Sequence, residues 1–505
     1  SKKIIWQKLD RAAKKTASDN HGICPTVIHF SRYESPYLEQ LHQEFASKQE
    51  FPFTIVCTHK IVSRLYPWLP RKSLRAAAGF FGFSLPNLRR SLHHVVATAF
   101  IWNHVVRILE EQEKIAAFEE LQDWLCNSPS PALSKQHTRE YPMEMALRQD
   151  LLDKPGIYRM YRSTGDLLYI GKAKSLKHRV NSYFHKKGRH AEHILEMLSQ
   201  AQNLSTTVTQ TALEAAVRES DEIKLLCPPY NRALQPNERH LYFYSKNLKS
   251  KQFEPNTQHP IGPFPSNIKM ESLAKLIDVL NGKIRKFNPR MIEAILDTPL
   301  KYAPERECFK SGLETFKKEY CYHMEPPINV RHIMKWGTQF WKEKLIEQEL
   351  EKATKKAEEA QEDGKQEKME EGWTPERVFK ALKRKIRMSS FQMRRSRWFC
   401  RLSESSLSWS KANDAEEGKY ILILKNGSTK FLSHNPTSDV LDILPGHKKT
   451  IVEKQANFDI ATYDRMRIVT TEMRRIIQED RDIKLCFHPG KVLKKKQLEK
   501  ILKWV

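Results

Sequence analysis

Residues 155–174 read Pro155-Gly156-Ile157-Tyr158-Arg159-Met160-Tyr161-Arg162-Ser163-Thr164-Gly165-Asp166-Leu167-Leu168-Tyr169-Ile170-Gly171-Lys172-Ala173-Lys174. Two β-like runs flank a Gly-Asp turn, so the stretch predicts a hairpin with Tyr158 on one strand and Tyr169 on the other. Just downstream, Ser175 can cap a helix in which Leu176, Val180 and Tyr183 share a face. Arg179 precedes Tyr183 by one helical turn, which lets guanidinium and phenol face the same place. At 212–226 a second helical stripe appears, marked by Ala212, Ala216, Ile223 and Leu226, with Glu219 in its middle. A carboxylate in an apolar stripe is costly unless it is paired or binds a metal. A structural bridge to Arg179 or Lys172 and a metal site both answer that demand. Pro228-Pro229-Tyr230-Asn231 closes the unit.

Outward from this unit the pattern changes several times. Before it, 26–30 and 54–57 are β-like and 38–45 and 95–109 helical, the mixture of an α/β domain. Asn127-Ser128-Pro129-Ser130-Pro131 breaks the periodicity and marks a linker. After it, four prolines over 255–265 read as an irregular connection and 273–280 as a helix. From 339 to 385 the chain is almost wholly charged, the pattern of a solvated helical arm or of a coiled coil that binds a protein partner. Strand-like alternation returns at 420–424 and 429–432, before terminal helices.

Composition narrows the class. The 505 residues carry 86 Lys plus Arg against 60 Asp plus Glu, a formal net charge of +26, which points to a polyanionic partner. Aromatic residues make up 10% of the chain, enough for packed cores and against wholesale disorder. No apolar run reaches the roughly 18 residues of a membrane span, and Ser1-Lys2-Lys3-Ile4-Ile5-Trp6 lacks the core of a secretory signal. A soluble, cytoplasmic protein is therefore expected. The cysteines at 24, 57, 126, 227, 308, 321, 400 and 486 form no CxxC pair; Cys308, Cys321 and His323 come nearest to a metal cluster, with ordinary buried thiols as the alternative.

In order and spacing, the residues of 155–231 resemble the GIY-YIG nuclease family, and within it the catalytic module of UvrC and its relative Cho. Both name-giving triplets are intact, Gly156-Ile157-Tyr158 and Tyr169-Ile170-Gly171, followed by Gly171-Lys172-Ala173-Lys174-Ser175-Leu176-Lys177-His178-Arg179 and the closing Pro228-Pro229-Tyr230-Asn231. The resemblance implies hydrolysis of a DNA phosphodiester at one divalent metal, Mg²⁺ or Mn²⁺. It implies that Glu219 holds the metal, that Tyr158 activates the attacking water with Tyr169 in support, that Arg179 neutralises the phosphate, and that Lys172, Tyr183 and Asn231 orient the site. A tyrosine is a poor base at its usual pKa of about 10, so the surrounding cations are expected to favour the phenolate. His178 is an alternative base that the motif does not need.

The first domain resembles, over shorter stretches, the latter part of the epsilon-type (DEDDh) proofreading exonuclease fold. These stretches are Val27-Ile28-His29-Phe30-Ser31-Arg32-Tyr33-Glu34, Thr54-Ile55-Val56-Cys57-Thr58 and the run Arg90-Ser91-Leu92-His93-His94 with its helix. That fold places four carboxylates and a His around two metals. Here no Asp-x-Glu strand opens the chain, Glu34 stands near where an Asp is expected, and no Asp follows His93 or His94 at the expected distance. One carboxylate and two histidines cannot hold two metal ions, so a degenerate or truncated domain with a binding or architectural role is expected.

The fold class expected from these readings is α/β multidomain. An exonuclease-like (RNase H-like) domain, inactive or incomplete, spans 1–115, a linker 116–141 and the GIY-YIG nuclease domain 142–240. A mixed connecting region at 241–338, a charged helical arm at 339–390 and a small α/β domain at 391–505 follow. The expected function is a metal-dependent DNA endonuclease in repair or in defence against foreign DNA. The alternatives are a non-catalytic DNA-binding scaffold and a 3′–5′ exonuclease.

Overall fold

Short β-branched runs near the start of the chain pair in parallel: β1 (Pro25–Ile28) lies beside β2 (Thr54–Cys57), with Val27 opposite Val56. The computed structural model describes residues 2–19, 22–84, 91–126, 140–185, 190–232, 239–322, 327–358, 372–410, 419–433 and most of 453–505. They fall into two units, Ser1–Gln235 and Pro236–Val505. The linker signal at 127–131 and His323 lie outside the described residues.

In the first unit, α2 (Ser31–Ala46) is the crossover that a parallel pair requires, and α1 (Lys2–Asp19) buries Trp6 and Ala13 beside it. Beyond β2, α3 (Thr58–Leu65), α4 (Leu74–Phe80), α5 (Ser91–Ile108) and α6 (Phe118–Cys126) enclose a core of Ile61, Val62, Ala77, Ala97, Ile101, Val105 and Leu121. After the short α7 (Ala146–Gln149), β3 (Gly156–Tyr161) and β4 (Leu167–Ala173) form the hairpin. Gly165, at φ 85°, makes its turn. α8 (Leu176–Ser182) and α9 (Glu192–Leu198) lead to β5 (Asn203–Val208), which joins the hairpin in the antiparallel order β4-β3-β5. The sequence reading does not anticipate β5, because Leu204 and Val208 are its only large apolar residues and alternation is weak. α10 (Ala212–Leu226) completes the module.

The two parts of this unit meet through polar contacts. The buried Arg162 guanidinium donates to Gln200 Oε1 from Nε and Nη2 at 3.1 and 3.0 Å, and to Ser84 Oγ at 3.2 Å. Ser73 donates to Glu196 at 2.8 Å, and the Arg71 backbone N–H to Ser199 Oγ at 2.8 Å. Gly79 on α4 is required by this seam, since the Gln200 amide occupies the place of a Cβ.

The second unit opens with a small sheet, β6 (Leu241–Tyr244), β7 (Lys251–Gln252) and β8 (Ile261–Pro265), in the order β7-β6-β8. The proline-rich connection at 255–265 thus ends in a strand. Helices α11 (Glu271–Leu280), α12 (Pro289–Leu296), α13 (Arg306–Tyr320), α14 (Val330–Glu358) and α15 (Pro375–Leu402) build an extensive apolar core. α15 corrects the expected charged arm at 339–390. Its Val378, Leu382, Ile386 and Met393 are buried against Phe309, Leu313, Phe316 and Phe340, so apart from Lys385 its charged residues lie off the core face. The helix also runs through the expected boundary at 390/391 without a break. It continues into an antiparallel sheet of β9 (Ser405–Ser410), β10 (Lys419–Lys425), β11 (Ser428–Ser433), β12 (Ile483–Phe487) and β13 (Lys491–Lys494), ordered β11-β10-β9-β12-β13. α16 (Ile460–Gln478) and α17 (Lys495–Leu502) accompany it. Among the described residues no helix is long and apolar enough to cross a membrane.

Candidate active site

Register decides which side chains of the module meet. Tyr158 stands opposite Gly171 across the β3–β4 ladder, and its ring lies over that glycine: a Cβ at 171 would be 2.3 Å from the phenolic oxygen. Gly156 is crowded in the same way, with the Thr207 carbonyl oxygen 2.4 Å from the place of a Cβ. The glycine of each triplet is therefore demanded by close approach, which no side chain permits.

Tyr158 is fully buried, and its Oη lies 2.9 Å from that of Tyr183. Ser175 caps α8 by accepting from the His178 backbone N–H at 3.2 Å, which sets the phase of the helix. Arg179 then reaches Tyr183, with its Nη2 donating to Oη at 3.1 Å. The rings of Tyr158, Tyr169 and Tyr183 form a triangle with centroids 6.1, 6.1 and 6.5 Å apart. Burial, then the neighbouring phenols, push Tyr158 well above the usual phenol range, and Tyr169 rises for the same reasons. Arg179 opposes both shifts without overcoming them. The expected phenolate is corrected accordingly: in the protein alone, desolvation outweighs one guanidinium and Tyr158 keeps its proton.

Glu219 projects from α10 toward β4. One carboxylate oxygen accepts the Lys172 backbone N–H at 3.1 Å, and the other lies 3.3 Å from the Lys172 ammonium. The Glu219 side chain is 13% exposed, and burial raises its pKa above the usual carboxylate value, with Lys172 and then Arg179 opposing the rise. One turn along the same helix, Glu222 shows what a closed structural bridge looks like here. Both its oxygens take the Arg159 guanidinium, at 2.6 and 2.5 Å, while Arg159 also donates to Thr207. Glu219 has no such fork. It faces a half-exposed lysine at the rim, with the charge of Arg179 within electrostatic reach.

The remaining candidates separate. Asn231 is buried and grips the backbone of Ile170, accepting from its N–H at 2.9 Å and donating to its C=O at 2.8 Å. Its contacts thus position β4. His178 turns its exposed ring toward Asp153, at 3.7 Å. His190, which the sequence reading passes over, donates through Nε2 to the Tyr183 carbonyl at 2.9 Å and tilts its ring against that tyrosine. It follows Tyr183 by seven residues in a polar stretch without periodicity, so spacing offers no sign of it.

Among the described residues no three His, Cys, Asp or Glu side chains converge on a metal-sized site. A divalent ion in this module would rest on one carboxylate, Glu219, with water completing its shell, and a hard oxygen donor of this kind suits Mg²⁺ or Mn²⁺. Cys308 and Cys321 are partly buried thiols, and burial pushes both upward, Cys321 to about 11.

Comparison with known proteins places the similarity on this module. The family model for the UvrC-like GIY-YIG domain matches residues 154–232. UvrABC system protein C of Psychrobacter cryohalolentis is 42% identical over 98 residues, which cover 19% of this chain and 16% of the relative. The protein of that name from Alkalilimnicola ehrlichii is 38% identical over 131 residues, covering 24% of this chain and 21% of its own length. The N-terminal GIY-YIG endonuclease domain of UvrC from Thermotoga maritima, solved with magnesium as its catalytic divalent cation, is 32% identical. The match covers 18% of this chain and 99% of that one, with a TM-score of 0.16. The chain therefore spans about a fifth or less of the length of the two curated relatives. The stretch that carries the tyrosine cluster and Glu219 is a UvrC-like GIY-YIG domain, set within a longer chain.

Proposed function

We propose that the chain is a metal-dependent DNA endonuclease that hydrolyses phosphodiester bonds at the GIY-YIG site, in DNA repair or in defence against foreign DNA. The observation that carries this reading is the convergence of the Tyr158–Tyr183–Arg179 chain of hydrogen bonds with an unforked carboxylate, Glu219, in one module. Glu219 would hold Mg²⁺ or Mn²⁺, which when bound supplies positive charge to the phosphate and acidity to an attacking water. Arg179 neutralises a non-bridging phosphate oxygen as charge develops there. Tyr183 fixes the guanidinium and Tyr158 relative to each other. Tyr158, supported by Tyr169, keeps its own proton and helps to orient the attacking water, whose proton passes to the leaving oxygen. Lys172 steadies Glu219, and Asn231 steadies β4. The net charge of +26 suits a polyanionic substrate.

Residues 1–115 fit a non-catalytic, exonuclease-like role within this reading. Glu34 is exposed on α2, His93 and His94 lie in the first turn of α5, and no metal-sized cluster forms among the described residues. The charged face of α14 that carries the exposed Lys342, Glu347 and Glu349 is the surface we assign to a protein partner.

The test is cleavage of end-labelled single-stranded, duplex, bubble and flap DNA with and without Mg²⁺ or Mn²⁺. Wild type is expected to cut internally and only with metal. Glu219→Gln is expected to show no cuts, and Arg179→Ala to be slower by about 10²–10³-fold. Equal cleavage by wild type and Glu219→Gln would sink the metal site, and binding without cleavage on every substrate would favour a DNA-binding scaffold.

A further inference from the structure

A cavity of about 620 Å³ opens in the first unit, outside the nuclease module, where β1 and β2 end. Its walls come from Phe30 to Tyr33 after β1, from Cys57, His59 and Lys60 at the end of β2 and the start of α3, and from the turn before α4, Arg71 to Ser73. The carboxyl ends of parallel strands are where α/β sheets bind ligands, because the following helices point their amide ends there. Here α2 and α3 both start at the cavity, and neither has a side-chain cap.

The chemistry of the walls is one-sided. Arg32, Lys60, Arg71 and Lys72 line the cavity, and none of its lining residues is Asp or Glu. Glu192 pairs with Arg71 at 2.9 Å, which leaves Arg32, Lys60 and Lys72 to set the charge. The neutral histidines register that field: His59 is pushed down to about 4 by burial first, then by Lys72 and Arg32. Lys72 Nζ is anchored by the carbonyls of Pro67 and Leu69, at 3.1 and 2.9 Å, so its charge stays in place.

Aromatic rings share the same walls. Phe30 holds the left-handed conformation, φ 60° and ψ 55°, an outlier for a bulky residue, and stacks on His59 with centroids 4.0 Å apart at 27°. Tyr33 is exposed, and Arg32 reaches it both by a 2.8 Å hydrogen bond and by lying 4.7 Å from its ring centroid. Cations beside ring faces are what a single strand of nucleic acid binds through its backbone and its bases.

We propose that this cavity is a second nucleic-acid site, which holds a phosphate and a neighbouring base of a single strand without metal and without cleaving it. Strand capture here does not rest on the nuclease reading, because none of the residues involved belongs to the GIY-YIG site. The pocket stands in a part of the chain where no metal-sized carboxylate cluster forms among the described residues, and gives that part a task.

The test uses the full chain in EDTA, where cleavage is silent, and measures anisotropy of a labelled single-stranded dodecanucleotide across a salt series. Arg32→Ala/Lys60→Ala removes two exposed side chains, and circular dichroism checks that the fold is kept. The double variant is expected to bind about tenfold more weakly, with a salt slope reduced by about 1.4, or about 0.7 for each lost phosphate contact. Lys3→Ala/Lys8→Ala, which removes the same charge from α1, is expected to retain wild-type binding. Unchanged affinity and slope in Arg32→Ala/Lys60→Ala would overturn the proposal, as would an equal loss in both double variants. If deoxyadenosine monophosphate raises the melting temperature of wild type and not of Arg32→Ala/Lys60→Ala, while both bind the oligonucleotide equally, the cavity holds a free nucleotide and the strand assignment falls. Glu219→Gln is expected to bind as wild type does, so loss of cleavage and loss of capture are read separately.

Discussion

Glu219 sits where its own charge is disfavoured. Its folded pKa lies above the ordinary value because burial outweighs Lys172 and Arg179. The ionised form therefore costs stability above the folded pKa, and that cost fades as pH falls through it. Glu219→Gln is accordingly expected to melt at or above the wild-type temperature at neutral pH. The gap should narrow as pH is lowered. Melting curves over one pH series check it, and a variant that melts below wild type throughout would assign Glu219 a structural role. At this scale much was legible. The triplets declare themselves because strand alternation has a period of two, and Tyr158 must face Gly171 once the hairpin forms. The protonated state of Tyr158 was not, because desolvation depends on Tyr169 and Tyr183 closing around it from other elements. Nor was the contact of Asn231, a residue the motif names but whose partner is a backbone group 61 positions away.

α15 shows how composition conceals a core helix. Its sequence is dense in Lys and Arg, yet Val378, Leu382 and Ile386 recur every four residues and seal the helical core. Gly312 and Gly337 let α13 and α14 approach it, with Val378 and Ser390 in the places of their missing Cβ atoms. One charge goes inward with the stripe: Lys385 is 6% exposed and donates to Asp297 at 2.7 Å and Ser272 at 2.6 Å. Asp297 is more than half exposed, but removing its carboxylate leaves the buried Lys385 ammonium unanswered, whereas replacing Lys385 by an apolar group of like volume is close to neutral. Asp297→Ala is therefore expected to destabilise the second unit more than Lys385→Met. Denaturant midpoints compare the two, and the reverse order would show that the stem of Lys385, and not its charge, holds the helix. Counting charged residues misses such a helix; counting the i, i+4 positions inside the charged run finds it, although not the partners it meets.

At the scale of the first unit, the expected pair of separate domains is joined by a polar seam around Arg162 and Gln200. Seam residues leave no periodic trace in a sequence, since each is polar, isolated and satisfied by a partner far along the chain. Arg162→Ala removes hydrogen bonds from a buried guanidinium, each worth about 1.5–3 kcal/mol. Hydrogen exchange is expected to show lost protection in β1 and β2 as well as in β3 and β4; loss confined to β3 and β4 would mean the two parts open independently. The same unit carries a further consequence for how molecules of this protein behave at high concentration. β4 is the outermost strand of its sheet, and the returning chain runs along it: the Tyr230 N–H bonds to the Leu168 carbonyl at 3.1 Å, and Asn231 occupies both polar groups of Ile170. An open strand edge is a template on which a second molecule can add a strand. Here two residues close that edge beside the candidate site, so Asn231→Ala should reveal itself first as self-association on concentration.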